Sequence, residues 1–300
     1  MIRHERFLPE QDAEYLREQG FFSVQNLTTP EDIAEMKVQL EELFRKRSGE
    51  KEGAYTDLIE SVDNTDSITS PQILNPVNYA PSLRKTKCFQ NGLRIAKQLL
   101  GDDAFCLFDL AIMKKAKVGV ATPWHQDEAF RDPRFDYREL SIWVPLQEVG
   151  LENGCMQFIP GSHKIEILKH DSPNHNLAAT ALECVDSFDK SQAVACPLPV
   201  GGATVHFPRT LHGTGPNLSN APRIAYIMVF NLPPKSAAKT RTFSWRDPQQ
   251  TVAHARRRSW MRRGGFFITL WRRLRRGEVG KHLTARYLLQ RSSSILRKGN

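Results

Sequence analysis

Apolar and polar positions follow two rhythms along this chain, helical in the first third and strand-like afterwards. From Pro9 to Gln19, Tyr15 and Leu16 lie on one side and the pattern stops at Gly20, which predicts a helix with a glycine end. Thr29-Pro30-Glu31-Asp32 is a helix start, with proline at the first position and acids in the first turn. Ile33, Met36, Leu40, Leu43 and Phe44 then recur at helical spacing to about Arg47. Residues 48 to 70 are polar and predict a loop with a short strand or turn. Pro81 to Leu100 predicts one helix with Leu83, Cys88, Leu93, Ala96 and Leu99 inward, and Phe105 to Met113 a strand.

Beyond residue 113 the strands predominate. Asn153-Gly154 predicts a tight hairpin turn, because both residues tolerate positive φ. Residues 164 to 195 form a long polar insertion, expected to act as a lid, with His170 and His175 expected at its surface. Gly201 to Pro208 is a strand, Gly213 to Asn217 a turn, and Arg223 to Phe230 a strand apolar enough to be buried on both faces. The pattern alone therefore predicts a mixed α+β protein with a β-rich centre.

Composition adds outer bounds. Three hundred residues suit one large domain with appendages. The five cysteines are odd in number and lack metal or disulfide spacing, so they are expected as reduced thiols in a cytoplasmic protein. No run of about 20 apolar residues is present to span a membrane, and no secretory leader pattern opens the chain.

Charge divides the chain unevenly. The whole carries +9, and residues 251 to 300 hold fourteen Lys or Arg against the single acid Glu278, a net of +13. Residues 1 to 250 therefore net −4 (9 − 13). In the basic tail Phe266, Phe267, Leu270, Trp271 and Leu274 fall on one helical side, flanked by Arg272, Arg273, Arg275 and Arg276. Such a helix suits an anionic membrane surface through residues 256–291, or packing on the barrel or a second subunit. Nucleic acid is the weakest of the three readings. The expected division is 1–250 as the domain and 251–300 as a basic amphipathic extension.

The candidate chemistry lies in Trp124-His125-Gln126-Asp127 and, far along the chain, His212. Two imidazoles and one carboxylate are the ligand set of a facial-triad iron(II) site with open positions. A lone H-x-D is common, and an isolated histidine is more often a hydrogen-bonded core or surface group; order and context raise the prior. Alternation along an extended segment lets positions 125 and 127 face one barrel mouth. His206 and His163 are expected to be structural, and His206 in particular hydrogen-bonded within the fold.

These motifs bring a family into view. Trp124-His125-Gln126-Asp127, Ser141-Ile142-Trp143-Val144-Pro145-Leu146, Asn153-Gly154-Cys155-Met156-Gln157-Phe158-Ile159-Pro160-Gly161-Ser162-His163 and His212-Gly213-Thr214-Gly215-Pro216-Asn217 followed by Arg223 resemble the phytanoyl-CoA dioxygenase family of iron(II)- and 2-oxoglutarate-dependent oxygenases. Gly20-Phe21-Phe22-Ser23-Val24 is similar to the family's opening, and the resemblance covers roughly residues 8 to 231. It implies a β-rich α+β double-stranded β-helix (a cupin-like jelly roll) with N-terminal helices packed on one sheet and a basic helical C-terminal tail. It also implies hydroxylation of a C–H bond in a small-molecule or acyl/lipid substrate, with O2 consumed and succinate and CO2 released. His125, Asp127 and His212 match the iron ligands, and Arg223 the partner of the 2-oxoglutarate distal carboxylate. Trp143, Thr214 and Lys114 match further co-substrate positions, with Lys115 an alternative to Lys114. Phe130, Arg131 and Arg134 are candidate substrate contacts beside the mouth.

Two comparisons with the family pattern sharpen this. Gly202-Ala203 stands where relatives often have Gly-Asp, which puts a local turn in question. Asp127 is retained, which disfavours the halogenation seen where a small residue replaces the carboxylate. The rival from another class is a non-catalytic jelly-roll binding module tethered through its basic tail.

Overall fold

The computed structural model describes residues 7–58, 70–117, 120–177, 179–246, 251–261, 265 and 268. Four helices are described: α1 (Glu10–Gln19), α2 (Pro30–Arg45), α3 (Lys87–Leu100) and α4 (Val252–Trp260). Gly20 ends α1 in the left-handed region at φ 87°, and a Cβ there would lie 2.4 Å from the His163 ring, so a glycine is required. The Thr29 hydroxyl accepts from Asp32 N at the start of α2. The single helix expected from Pro81 to Leu100 is instead two. A 3₁₀ turn, Pro81–Lys85, stops at Thr86, whose side chain caps a fresh helix at Phe89 N. The Asp32 carboxylate completes that cap, accepting from Lys87 N (3.1 Å), Cys88 N (2.8 Å) and the Thr28 hydroxyl (2.6 Å).

The strands that build the centre are β1 (Phe21–Val24), β2 (Tyr55–Asp57), β3 (Pro71–Leu74), β4 (Phe105–Lys114), β5 (Thr122–His125) and β6 (Glu139–Pro145). They continue with β7 (Met156–Phe158), β8 (Val194–Cys196), β9 (Ala203–His206), β10 (His212–Thr214) and β11 (Arg223–Asn231). All pair antiparallel, seven in the order β1-β9-β6-β11-β4-β3-β2 and four in the order β8-β7-β10-β5.

Strand β11 explains the architecture, because every one of its residues is buried. Ile224, Tyr226, Met228 and Phe230 pack with Leu16, Ile33, Met36, Leu40 and Ile95 of the helices. Ala225, Ile227 and Val229 face the other way, onto Met156, Phe158 and Cys196 of the small sheet. Helices thus cover the outer face of the large sheet, and the small sheet faces its inner side. Phe21 stacks on Phe158 across that gap at 4.5 Å.

The expected hairpin at Asn153-Gly154 and the expected turn at Gly213 to Asn217 are both sheet-to-sheet corners. The turn at Asn153-Gly154 links β6 to β7, and the Gly213-to-Asn217 segment links β10 to β11; in each case the strands belong to different sheets. The corners are held by buried or well-bonded asparagines. Asn153 bonds Gly150 N and Glu148 O, and Asn217 donates to Lys114 O, Lys115 O and Ala221 O. At Gly202-Ala203 the turn is closed by backbone alone, Gly202 N donating to Pro199 O, and Ala203 is fully buried. Among its described residues the 164–195 insertion holds a short ribbon (His170–Asp171 with Glu183–Cys184), two 3₁₀ turns (Pro173–His175 and Lys190–Gln192) and the start of β8.

Helix α4, capped by Thr251, packs beside the 3₁₀ turn Glu50–Glu52, and Arg256 donates to Tyr55 O. The apolar stripe expected at Phe266, Phe267, Leu270, Trp271 and Leu274 lies outside the described residues. Among the described residues no helix is long and apolar enough to cross a membrane, and all five cysteines are free thiols.

Candidate active site

His125 ends β5 and His212 opens β10, and the two are direct cross-strand partners with ring centroids 4.3 Å apart. Asp127 begins a 3₁₀ turn just past β5, and the extended Gln126 (φ −114°, ψ 125°) keeps 125 and 127 on one side. One ligand atom from each of the three lies within 4.8 Å of the others, a spacing that fits a single metal ion. Each histidine is oriented by its far nitrogen. Nδ1 of His125 lies 2.7 Å from Pro123 O and Nδ1 of His212 lies 2.8 Å from Thr210 O. A carbonyl can only accept, so both Nδ1 atoms donate and both Nε2 lone pairs are free for a metal.

The two oxygens of Asp127 have different surroundings. Oδ1 lies 3.6 Å from His125 Nε2 and 3.8 Å from His212 Nε2. Oδ2 accepts from the Ser141 hydroxyl at 2.8 Å and lies 3.5 Å from His206 Nε2. Burial disfavours the ionised carboxyl, yet the imidazoles of His125, His206 and His212 hold it well below the usual range. Ser141 was not singled out from sequence. Its alternation with Trp143 on β6 is the signal that could have found it, since both face the small sheet. His206 was expected to be hydrogen-bonded within the fold; it is buried, and among the described residues neither ring nitrogen has a hydrogen-bond partner.

A second cluster lies on the large sheet. Lys114 of β4 and Arg223 of β11 are directly opposite each other, and both are buried, each at 2 % exposure. The Lys114 Nζ donates to Thr214 Oγ1 (2.6 Å) and Gly215 O (2.7 Å), while the Arg223 guanidinium lies over the Trp143 ring at 5.4 Å. Lys114, Trp143, Thr214 and Arg223 are therefore together; Lys115 is exposed. Among the described residues no carboxylate pairs with either cation, and Arg223 Nε has no acceptor. Burial, then the facing Arg223, push the Lys114 amine down to about 6, and burial pushes Arg223 down to about 10. Two like charges buried without an anion are costly, and a bound dicarboxylate would relieve both.

At the mouth, Phe130 sets its edge against the His125 ring, 5.9 Å between centroids. Arg131 is taken up by a bidentate pair with the fully buried Glu139, and Arg134 pairs with Asp132 near the surface. Glu128, also buried, holds Arg209 and Arg241. Of the three expected substrate contacts only Phe130 is left free of an ion pair. Gln126 bridges Arg209 O and Leu168 N with its side chain.

His170 is a correction. It is buried, not superficial, with Nδ1 donating to Leu168 O and Nε2 accepting from Gln126 N, and burial lowers it to about 4. His175 is exposed as expected, and His163 is structural, its Nε2 bonded to Arg17 O.

Comparison with known proteins places this geometry. The model of the phytanoyl-CoA dioxygenase (PhyH) family matches residues 16–225. A relative in Stutzerimonas stutzeri, "Probable alpha-ketoglutarate-dependent hypophosphite dioxygenase", is 26 % identical over 71 % of this chain and 75 % of its own. The peroxisomal phytanoyl-CoA dioxygenase of Bos taurus is 25 % identical over 74 % of this chain and 68 % of its own. Among solved structures, EvdO2 from Micromonospora carbonacea var. aurantiaca complexed with 2-oxoglutarate is 32 % identical. It aligns over 80 % of this chain and 97 % of its own with a TM-score of 0.68.

Proposed function

The chain belongs to the phytanoyl-CoA dioxygenase family and is an iron(II)- and 2-oxoglutarate-dependent dioxygenase; on that premise we propose that it hydroxylates an unactivated C–H bond of a small-molecule or acyl/lipid substrate. The facing sheets are read as a double-stranded β-helix, with 1–250 as the catalytic domain and 251–300 as a basic extension.

His125 Nε2, Asp127 Oδ1 and His212 Nε2 would hold the iron, since these are the atoms left free and turned toward one another. Bound iron chelated by 2-oxoglutarate supplies O2 activation, driven by oxidative decarboxylation to succinate and CO2. The observation that carries the reading is the pair of buried cations without an anion. Arg223 and Lys114 would bind the distal carboxylate, Arg223 through its planar fork and Lys114 as a point charge positioned by Thr214. Trp143 packs under the guanidinium and would keep water from that ion pair.

The substrate side supports an uncharged reacting segment. Phe108, Leu110 and Ile112 of β4 pack on the inter-sheet core yet remain partly accessible, and Phe130 covers His125. The described arginines at the mouth are each consumed by Glu139, Asp132 or Glu128. An acyl chain suits such a wall, in keeping with the activity named for the bovine relative. The five free thiols suit a reducing compartment such as the cytoplasm, and the basic extension suits contact with anionic lipid.

The test is anaerobic titration of metal-free protein with iron(II) and 2-oxoglutarate, following the visible charge-transfer band of the chelate. The band should form in the wild type, weaken in Arg223→Ala and be absent in Asp127→Ala. No band in the wild type would overturn the proposal and favour a tethered binding module.

A further inference from the structure

We propose that His206 is a positioning residue for the metal centre, holding the outer oxygen of Asp127 so that the inner oxygen alone is offered to the metal. The inference rests on the reading of His125, Asp127 and His212 as the ligands.

His206 ends β9, where it lies opposite Ser141 on one side and Phe21 on the other. Its ring is wedged between Phe158 (5.2 Å between centroids) and His212 (4.5 Å), and Phe158 is itself stacked on Phe21. The side chain is only 3 % exposed, and among the described residues neither ring nitrogen has a hydrogen-bond partner. A phenylalanine would fill such an aromatic niche without desolvating two polar atoms. The imidazole therefore needs a partner it can reach, and among the described residues that partner is Asp127 Oδ2, 3.5 Å from Nε2.

Ser141 already donates to this same oxygen at 2.8 Å. Ser141 and His206 are cross-strand neighbours on the large sheet, so the outer oxygen is approached from two adjacent strands. Oδ1 meanwhile faces His125 and His212. Half an ångström of carboxylate movement would bring the His206 contact into the ordinary hydrogen-bond range of about 3 Å. Held at Oδ2 by two donors, Asp127 cannot turn both oxygens to the metal, so it binds through one and leaves coordination positions open. His206 does not join the set itself, because its nitrogens fall outside the group of three that lie within 4.8 Å.

The experiment is cobalt(II) titration of the metal-free full-length chain, read by affinity and by the d–d spectrum of the bound ion, with thermal melts of the metal-free proteins in parallel. His206→Phe should fold, because a phenyl ring fills the same aromatic niche between Phe158 and His212. Its cobalt affinity should fall about 10- to 100-fold, with an altered d–d spectrum. His206→Gln, which returns an N–H donor near the Nε2 position, should recover most of the affinity and the wild-type spectrum. His206→Phe matching the wild type in affinity and spectrum would remove the role of His206 alone. His206→Gln failing as badly as His206→Phe would do the same, because the donor would then not be what matters. If His206→Phe does not fold, His206→Gln against wild type decides by the same spectrum. A wild type that binds no cobalt would bring down the ligand assignment, and this proposal with it.

Discussion

The amine of Lys114 offers a quantitative test of how the co-substrate is held. Its Nζ already makes two hydrogen bonds, to Thr214 Oγ1 and Gly215 O, and a neutral amine has only two hydrogens to donate. Protonation adds the third, and the unpaired Arg223 directly across the strands marks where an anion would receive it. With the amine pushed down to about 6 by burial and by Arg223, about 1 % of it is protonated at pH 8, two pH units higher. Binding 2-oxoglutarate at pH 8 should therefore draw close to one proton from solution, at a cost of about 2.7 kcal/mol. The Kd should weaken about tenfold per pH unit between pH 7 and 9. Arg223, lowered only to about 10, keeps its charge over that range and so does not confuse the slope. Calorimetry on cobalt-loaded protein, in buffers of different ionisation enthalpy, reads both the Kd and the proton count. Lys114→Met should flatten the slope, its penalty falling by about 1.4 kcal/mol for each pH unit between pH 7 and 9. Stability carries the same signature with a definite sign. Between about pH 6 and 10.5 the folded, ligand-free state binds fewer protons than the unfolded chain, so Lys114 makes stability rise with pH across that window. A Kd independent of pH, with no proton uptake, would refute the argument that an anion is needed to charge Lys114.

Three other changes test the frame around the site. Gly201 has φ +89°, and a Cβ there would meet Thr28 O at 2.4 Å; Gly201→Ala should cost about 2 kcal/mol or more, seen as a lower denaturant midpoint, and an unchanged midpoint would contradict this geometry. Glu139→Leu strands the Arg131 guanidinium and should destabilise by about 3–5 kcal/mol, whereas Arg131→Met with Glu139→Leu should recover most of the loss. Equal melts for the single and double variants would mean the pair is not what matters there. Deleting residues 256–300 should abolish sedimentation with anionic vesicles and leave iron binding intact; equal pelleting of the truncated protein would sink the lipid role of the basic extension.

Local chemistry carried the parts of this protein that were legible in its sequence. Helix ends follow from side chains that bond their own backbone a few residues away, so Thr29-Pro30 and Gly20 could be read directly. Thr86 works by the same rule, but helical periodicity on both sides of it obscured the break. The three candidate ligands were legible through their motif context. What was not legible is whatever depends on which sheet a strand joins. A glycine- and asparagine-rich turn looks the same whether it closes a hairpin or carries the chain from one sheet to the other, and both corners here do the latter.

The histidines carry this limit furthest. His125, His170 and His212 each satisfy Nδ1 with a carbonyl two residues earlier, a local bond. Their roles diverge only through Nε2, which meets a backbone N–H in His170 and faces Asp127 in the other two. His206 lacks even the local bond, since among the described residues its Nδ1 meets no acceptor. Sequence patterns reach the first nitrogen of a histidine; the second answers to the packing of the two sheets, and that second nitrogen separates a structural histidine from a ligand. It is also why His206, expected from the linear pattern to be a hydrogen-bonded structural group, lies beside the carboxylate on which the site depends.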